Sequence, residues 1–161
     1  MISSSLNKKA NPLLWLFKID SIYDEVTNLE KSYSLSLSEK RAIEYIFSRG
    51  KLRKVLSQIL NLEPLSVPLD AKPGAPPLLS NNYGYVSISH CKDALLLGWS
   101  KSPIGVDIER QDRKFSYEKI VLNLFNDFEK KIISRSDPEL RRKNSLKIWI
   151  SKECIVKLTG I

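Results

Sequence analysis

The sequence predicts an α+β fold. Three observations carry that prediction. Short apolar or alternating runs of strand length occur at Leu13 to Ile19, Gly84 to His90 and Ala94 to Ser100. Helical spacing of apolar residues governs the stretches after Ser38 and from Ser145 to Leu158. The two kinds of element are mixed without the regular β–α alternation of a parallel sheet.

Taken in order, Leu13 to Ile19 reads as a first strand. Its apolar part is far shorter than the ~20 residues a membrane span requires, and no small-residue cleavage site follows it. Asp20 to Glu30 is polar. Ser38 is placed to cap a basic helix in which Ile43, Ile46 and Phe47, then Leu52, Val55, Leu56, Ile59 and Leu60, repeat at helical spacing. Arg41, Arg49 and Arg53 fall on the more polar side of that helix. Pro64, Pro68, Pro73, Pro76 and Pro77 make the stretch from Pro64 to Leu79 loop or extended chain. Gly84 to His90 and Ala94 to Ser100 are strands joined by a hairpin-like Cys91-Lys92-Asp93. After Ser102-Pro103, Ile104 to Glu109 reads as another strand. Tyr117 to Phe125, Phe128 to Ser134 and Ser145 to Leu158 read as helices.

Bulk composition narrows the class. The 161 residues are 42% hydrophobic and 27% charged, the balance of a chain that can bury a core. The formal net charge of +8 speaks to partners: nucleic acid, an anionic membrane, a polyphosphate or an acidic protein. The two cysteines, Cys91 and Cys154, fit neither a disulfide framework nor a zinc site, and read as reduced thiols of a cytoplasmic protein. A nucleic-acid reading is disfavoured, because the basic residues are not interleaved with an aromatic stacking motif.

Three stretches carry chemistry. In Ile104-Gly105-Val106-Asp107-Ile108-Glu109, residues two apart share a face, so Asp107 and Glu109 project together while Val106 and Ile108 face the core. Adjacent carboxylates repel unless a cation or a proton lies between them, and oxygen-only donors favour Mg²⁺ over zinc. The same pattern also describes a half-exposed strand with an acidic outer face. Trp149, Glu153 and Lys157 form a stripe beside the apolar Leu146, Ile150, Cys154 and Leu158. Glu153 there is either a third ligand, with Lys157 on a phosphate, or half of an ordinary surface ion pair. Ser89-His90 ends a strand and includes the chain's single histidine, which serves either packing or a phosphate oxygen. A Ser–His–Asp hydrolase is set aside, since no Gly-x-Ser-x-Gly elbow occurs.

The order of these pieces resembles the signature of the 4′-phosphopantetheinyl transferases: Ser-His, then Gly-(Val/Ile)-Asp-(Val/Ile)-Glu, then Trp-x-x-Lys-Glu-(Ala/Ser)-x-x-Lys. Ala71-Lys72-Pro73 is similar to the family's Gly-Lys-Pro element, Arg49-Gly50-Lys51-Leu52-Arg53 to its basic helix, and Leu124 to Glu129 to its Phe-Ser-x-x-Glu segment. Ala71 and Cys154 are mild departures from the pattern. The resemblance implies two pseudo-symmetric halves, each a small antiparallel sheet packed on a helix, with residues 1–101 as the N-terminal half and 102–161 as the C-terminal half. With about a hundred residues before Asp107, the chain resembles the larger, surfactin-type class, expected as a monomer. Members of that class continue past the position of Ile161, so the second half-sheet is expected to be incomplete, with an exposed edge open to association.

For function, the resemblance implies a Mg²⁺-dependent holo-[acyl-carrier-protein] synthase. It would move the phosphopantetheine of coenzyme A onto a serine of an acyl or peptidyl carrier protein and release 3′,5′-ADP. Asp107, Glu109 and Glu153 would hold the metal, and Glu153 with Lys157 would be catalytic. Arg49, Lys72, Ser89, His90, Lys152 and Lys157 would contact coenzyme A. The implied partners are coenzyme A and an acidic carrier protein, with no nucleic acid and no membrane. The rival reading is a non-catalytic relative that still binds coenzyme A or a carrier.

Overall fold

The computed structural model describes residues 11–80 and 82–160. The predicted class holds, since small antiparallel sheets are packed with helices, but both sheets lie within residues 1–101; among the described residues of 102–161 there is no strand, so the half-sheet expected there is not formed. Strand β1 (Leu13–Lys18) pairs with β5 (Ala94–Ser100), and β5 pairs with β4 (Tyr85–His90), in the order β1-β5-β4. Cys91 closes the β4–β5 hairpin by donating its N–H to the Ala94 carbonyl at 2.9 Å. Helix α1 (Asn28–Ser34) and the long α2 (Glu39–Leu60) lie between β1 and β4 in sequence. Two short strands, β2 (Leu69–Asp70) and β3 (Leu78–Leu79), pair inside the proline-rich stretch, after a 3₁₀ turn at Pro64–Ser66. Beyond the sheet come α3 (Tyr117–Leu124), α4 (Asp127–Arg135) and α5 (Pro138–Thr159).

The core lies between α2 and one face of the three-stranded sheet. Phe47, Leu52, Val55 and Leu56 of α2 meet Val86, Leu95, Leu97 and Trp99 there, with Trp15 and Phe17 packed alongside. The register explains the choice of face. Val86 sits opposite Trp99 and Ile88 opposite Leu97, so period-2 alternation sends these side chains to α2. Ser87, opposite Gly98, and Ser89, opposite Leu96, then point to the other face.

That second face is where the structure departs from the sequence reading. Ile104 to Glu109 is extended but joins no ladder. It crosses the sheet face instead of extending its edge: a Cβ on Gly98 would meet Val106 Cγ1 at 2.7 Å and Ile104 Cδ1 at 3.1 Å. Its backbone donors are satisfied by serine hydroxyls, with Val106 N–H donating to Ser87 Oγ (3.0 Å) and Ile108 N–H to Ser89 Oγ (3.3 Å). Helix α5 packs on the segment in turn.

Two further readings are corrected. Arg49 and Arg53 do not line a polar side of α2; both are buried, at 8% and 3% exposure. Arg53 donates to Glu30 Oε2 at 2.7 Å and to the Val67 carbonyl at 2.9 Å. Glu30 also completes the capping box of α1 with Thr27, so this buried cation has a full set of partners. The last helix begins at Pro138, not at Ser145. Proline is tolerated at the first helical position because the N–H it lacks would have had no partner there.

Candidate functional site

The site forms where the acidic segment lies between β4 and α5. Asp107 is its centre. Ser89 donates its hydroxyl to Asp107 Oδ1 at 2.6 Å, and Lys157 Nζ donates to the same oxygen at 2.7 Å and to the Val106 carbonyl at 3.1 Å. The Asp107 side chain is only 9% exposed. A buried carboxylate needs a cation and hydrogen bonds in place of water, and Lys157 and Ser89 supply both. Gly105 permits the close approach. Its α-carbon lies against the Cys154 carbonyl and the Leu158 N–H of α5, with no room for a side chain. One stretch thus touches the Ser89 strand on one side and the Lys157 helix on the other.

Glu109 and Glu153 flank this centre. Glu109 pairs with Arg113, four residues on, and Glu153 Oε1 accepts the indole N–H of Trp149 at 3.0 Å. Arg113 also lies over the Trp149 ring, 4.8 Å from its centroid, so one guanidinium links the two carboxylate groups. The donor set is all carboxylate oxygen, which suits a hard divalent cation. Among the described residues no three such side chains converge on a single point; each carboxylate is turned onto a protein donor.

His90 lies at the rim of a cavity of about 690 Å³, lined by Lys40, Arg41, Lys92, Arg110 and Arg113 as well as Glu44, Glu109 and Asp112. Five Lys or Arg side chains face three carboxylates there, a balance suited to a polyanion. His90 Nε2 stands 3.5 Å from Glu44 Oε2. Arg49 reaches a smaller adjoining hollow that shares His90, Arg41 and Glu44. Most of its hydrogen bonding is internal: Nε donates to the Ala71 carbonyl (3.0 Å) and Nη1 to Ser48 Oγ (3.1 Å), with the guanidinium 4.5 Å from the Tyr45 ring centroid. Burial pushes the Arg49 guanidinium below its ordinary value, partly offset by Tyr45.

Other predicted residues lie apart from Asp107. Lys72 is exposed beside Asp70 at 3.8 Å, while its neighbour Ala71 is anchored to Tyr45 and Arg49 through its carbonyl. Lys152 pairs with Glu129 at 3.0 Å. Glu129 itself closes the capping box of α4 with Asn126, which gives the Leu124 to Glu129 resemblance a structural meaning. Lys157, besides holding Asp107, lines a second cavity of about 670 Å³ bounded by Pro76, Pro77, Leu79 and Ile104.

Sequence reasoning missed Ser87, Arg113 and the neighbours Lys40 and Arg41. Ser87 had a signal, since it shares Ser89's face at strand spacing. Arg113 had none, because it follows the acidic motif in an irregular loop.

Residues 103–161, the part holding the acidic segment and α5, match the sequence profile of the 4′-phosphopantetheinyl transferase superfamily. The chain is also 24% identical to the 4′-phosphopantetheinyl transferase HetI of Nostoc sp. (strain PCC 7120) over 161 aligned residues, covering 91% of this chain and 68% of that protein. With the motifs in order and the Asp107 group assembled from three of them, the chain is similar to the 4′-phosphopantetheinyl transferase superfamily, most clearly over residues 103–161.

Proposed function

We propose that this chain transfers the 4′-phosphopantetheine of coenzyme A to a serine hydroxyl of an acyl or peptidyl carrier protein, leaving 3′,5′-ADP. The observation that carries the reading is the meeting of three separated motifs at one carboxylate, where Ser89 and Lys157 both donate to Asp107 Oδ1 at 2.6 and 2.7 Å. Two halves, residues 1–101 and 102–161, would flank the bound coenzyme, in a monomer working in the cytoplasm.

Asp107, Glu109 and Glu153 would hold Mg²⁺, which when bound supplies charge neutralisation for the diphosphate. The protein's own residues do the rest. Lys157, fixed by Asp107 and the Val106 carbonyl, presents its remaining N–H to a phosphate oxygen. Glu153, with one oxygen held by Trp149, keeps the other for the proton of the attacking serine. That serine forms a bond to the β-phosphorus, and the bond to the bridging oxygen breaks as 3′,5′-ADP departs. His90 and the basic residues of the 690 Å³ cavity accommodate the phosphorylated nucleoside end. Ser89, Lys72, Lys152 and Arg49 are assigned to the coenzyme more loosely, since each already has partners within the chain. The net charge of +8 favours encounter with an acidic carrier and predicts weakening by salt.

The test is to incubate the chain with coenzyme A, Mg²⁺ and an apo acyl carrier protein and to weigh the carrier. A mass gain of one phosphopantetheine, abolished by EDTA, is the expected result. Coenzyme A binding without any gain on acyl or peptidyl carriers would replace this reading with that of a non-catalytic relative.

A further inference from the structure

The chain from Lys101 to Ser116 forms no helix or strand, yet it carries the acidic segment and one wall of the basic cavity. Side chains from elsewhere therefore have to fix it. At Val106 and Ile108 the Ser87 and Ser89 hydroxyls do so, and beyond Glu109 the task falls to Arg110. Its guanidinium bridges two carboxylates. Nε and Nη2 donate to Asp112 Oδ1 and Oδ2, both at 2.7 Å, and Nη1 donates to Asp93 Oδ2 at 2.6 Å. The Asp112 fork is local and closes a turn in which the Arg113 N–H reaches the Arg110 carbonyl at 3.1 Å. The Asp93 bond is the long-range one, and Asp93 is a firm post. It sits in the β4–β5 hairpin, which Cys91 and Ala94 close, and its own carbonyl accepts the Ile19 N–H at 3.0 Å. From the opposite side Arg142 of α5 donates to the carbonyls of Gln111, at 3.2 Å, and of Arg113. A single exposed ion pair contributes little, but a planar fork spanning two carboxylates is the geometry in which such contacts do hold.

We propose that Arg110, anchored on Asp93, is a positioning residue that pins the loop after the acidic segment to the β4–β5 hairpin and so sets the spacing of the two walls of the basic cavity. This rests on the reading of that cavity as the place of the coenzyme's phosphorylated nucleoside end. His90 and Lys92 stand on the hairpin wall, Glu109 and Arg113 on the loop wall. With the pin released, one wall drifts against the other and the cations no longer converge on one polyanion. Charge and position make opposite demands of Asp93. It is a negative charge beside a cavity for an anion, so by electrostatics alone its removal tightens binding. As the anchor of the pin, its removal weakens binding.

The test is the affinity of the full chain for 3′,5′-ADP, measured by titration calorimetry, beside amide hydrogen exchange at Ile108 and Arg113 with no ligand present. Asp93→Ala is expected to weaken 3′,5′-ADP binding roughly three- to five-fold and to speed exchange at the Arg113 amide, while the melting temperature stays at the wild-type value. Arg110→Lys keeps the charge but cannot bridge both carboxylates, and it is expected to weaken binding in the same direction. Tighter or unchanged binding by Asp93→Ala overturns the proposal, as does an Arg110→Lys protein that binds as wild type does. Unchanged exchange at both amides in Asp93→Ala overturns it too, whatever happens to affinity. The transferase reading is judged separately, by the carrier mass gain. A gain in wild type, with exchange and affinity unmoved in Asp93→Ala, removes the pin and leaves that reading standing; no gain in wild type, with faster exchange and weaker binding in the variant, removes the reading and leaves the pin.

Discussion

Replacing Gly105 with alanine is the sharpest test of how the site is assembled. The segment around it is fixed on its sheet side by the Ser87 and Ser89 hydroxyls, at 3.0 and 3.3 Å from the N–H groups of Val106 and Ile108. On its helix side a new Cβ would strike the Cys154 carbonyl oxygen, with the carbonyl carbon at 3.0 Å and the Leu158 nitrogen at 2.9 Å. Ordinary carbon contacts lie near ~3.5–4.0 Å, so α5 or the segment has to shift by about an ångström or more. Neither neighbour is a side chain that can rotate away. Alanine would stabilise by ~0.4–1 kcal/mol through the unfolded chain if it fitted, but overpacking against backbone costs ~1–3 kcal/mol, and the clash wins. For a chain of this size that is a fall of about 2–12 °C in Tm. The same shift would stretch the 2.7 Å Lys157–Asp107 contact, and an ångström of misplacement costs on the order of 10²-fold in turnover. Gly98→Ala is the control, since the nearest atoms to its Cβ are side-chain methyls of Val106, Ile104 and Leu14, not backbone. Thermal melts of both variants, with carrier modification timed by mass spectrometry, decide the matter. A Gly105→Ala protein that melts within a degree of wild type at full turnover would refute the packing argument, and so would a Gly98→Ala protein that suffers more.

Two other outcomes follow from buried polar groups. Ser87→Ala leaves the Val106 N–H without its acceptor at a site only 4% exposed for Ser87, so urea denaturation should show a loss of ~1–3 kcal/mol; an unchanged midpoint would mean another acceptor takes over. Glu30 should govern acid stability: burial pushes its carboxyl up, but hydrogen bonds from Arg53 and Thr27 outweigh this and hold it below the ordinary carboxylate range. The unfolded chain therefore takes up that proton first, so the contribution is complete above about pH 4.3 and is lost as pH falls through the lower folded value. Glu30→Gln, which strands the buried Arg53, should cost about 3–5 kcal/mol at pH 7 and flatten the loss of stability between pH 5 and 3; a parallel acid profile would contradict this.

What could be read from the sequence was whatever left a local period. β4, β5 and the capped helices announced themselves through alternation, helical spacing and turn residues, and the motif order placed Asp107, Ser89 and Lys157 in one group before their contacts were known. The acidic segment misled for a physical reason. Gly-Val-Asp-Ile-Glu alternates as a strand does, but whether an extended segment joins a sheet edge or crosses its face depends on Gly98 and two serines in other elements. Arg49 and Arg53 misled similarly: arginine on a helix suggests solvent until acceptors are brought to it, Glu30 by α1 and Val67 and Ala71 by the proline-rich loop. Arg113 was illegible because its meaning comes from Trp149, 36 positions away, and no spacing rule reaches that far.

The acidic residues of the segment are paired in a graded way. Asp107, the deepest, is held by a lysine with two anchors, and this fixes the distance between β4 and α5. Glu109, nearer the rim, is held by the more exposed Arg113. The firmness of each pair thus follows its exposure, as it must where screening by water weakens the outer contact and burial strengthens the inner one.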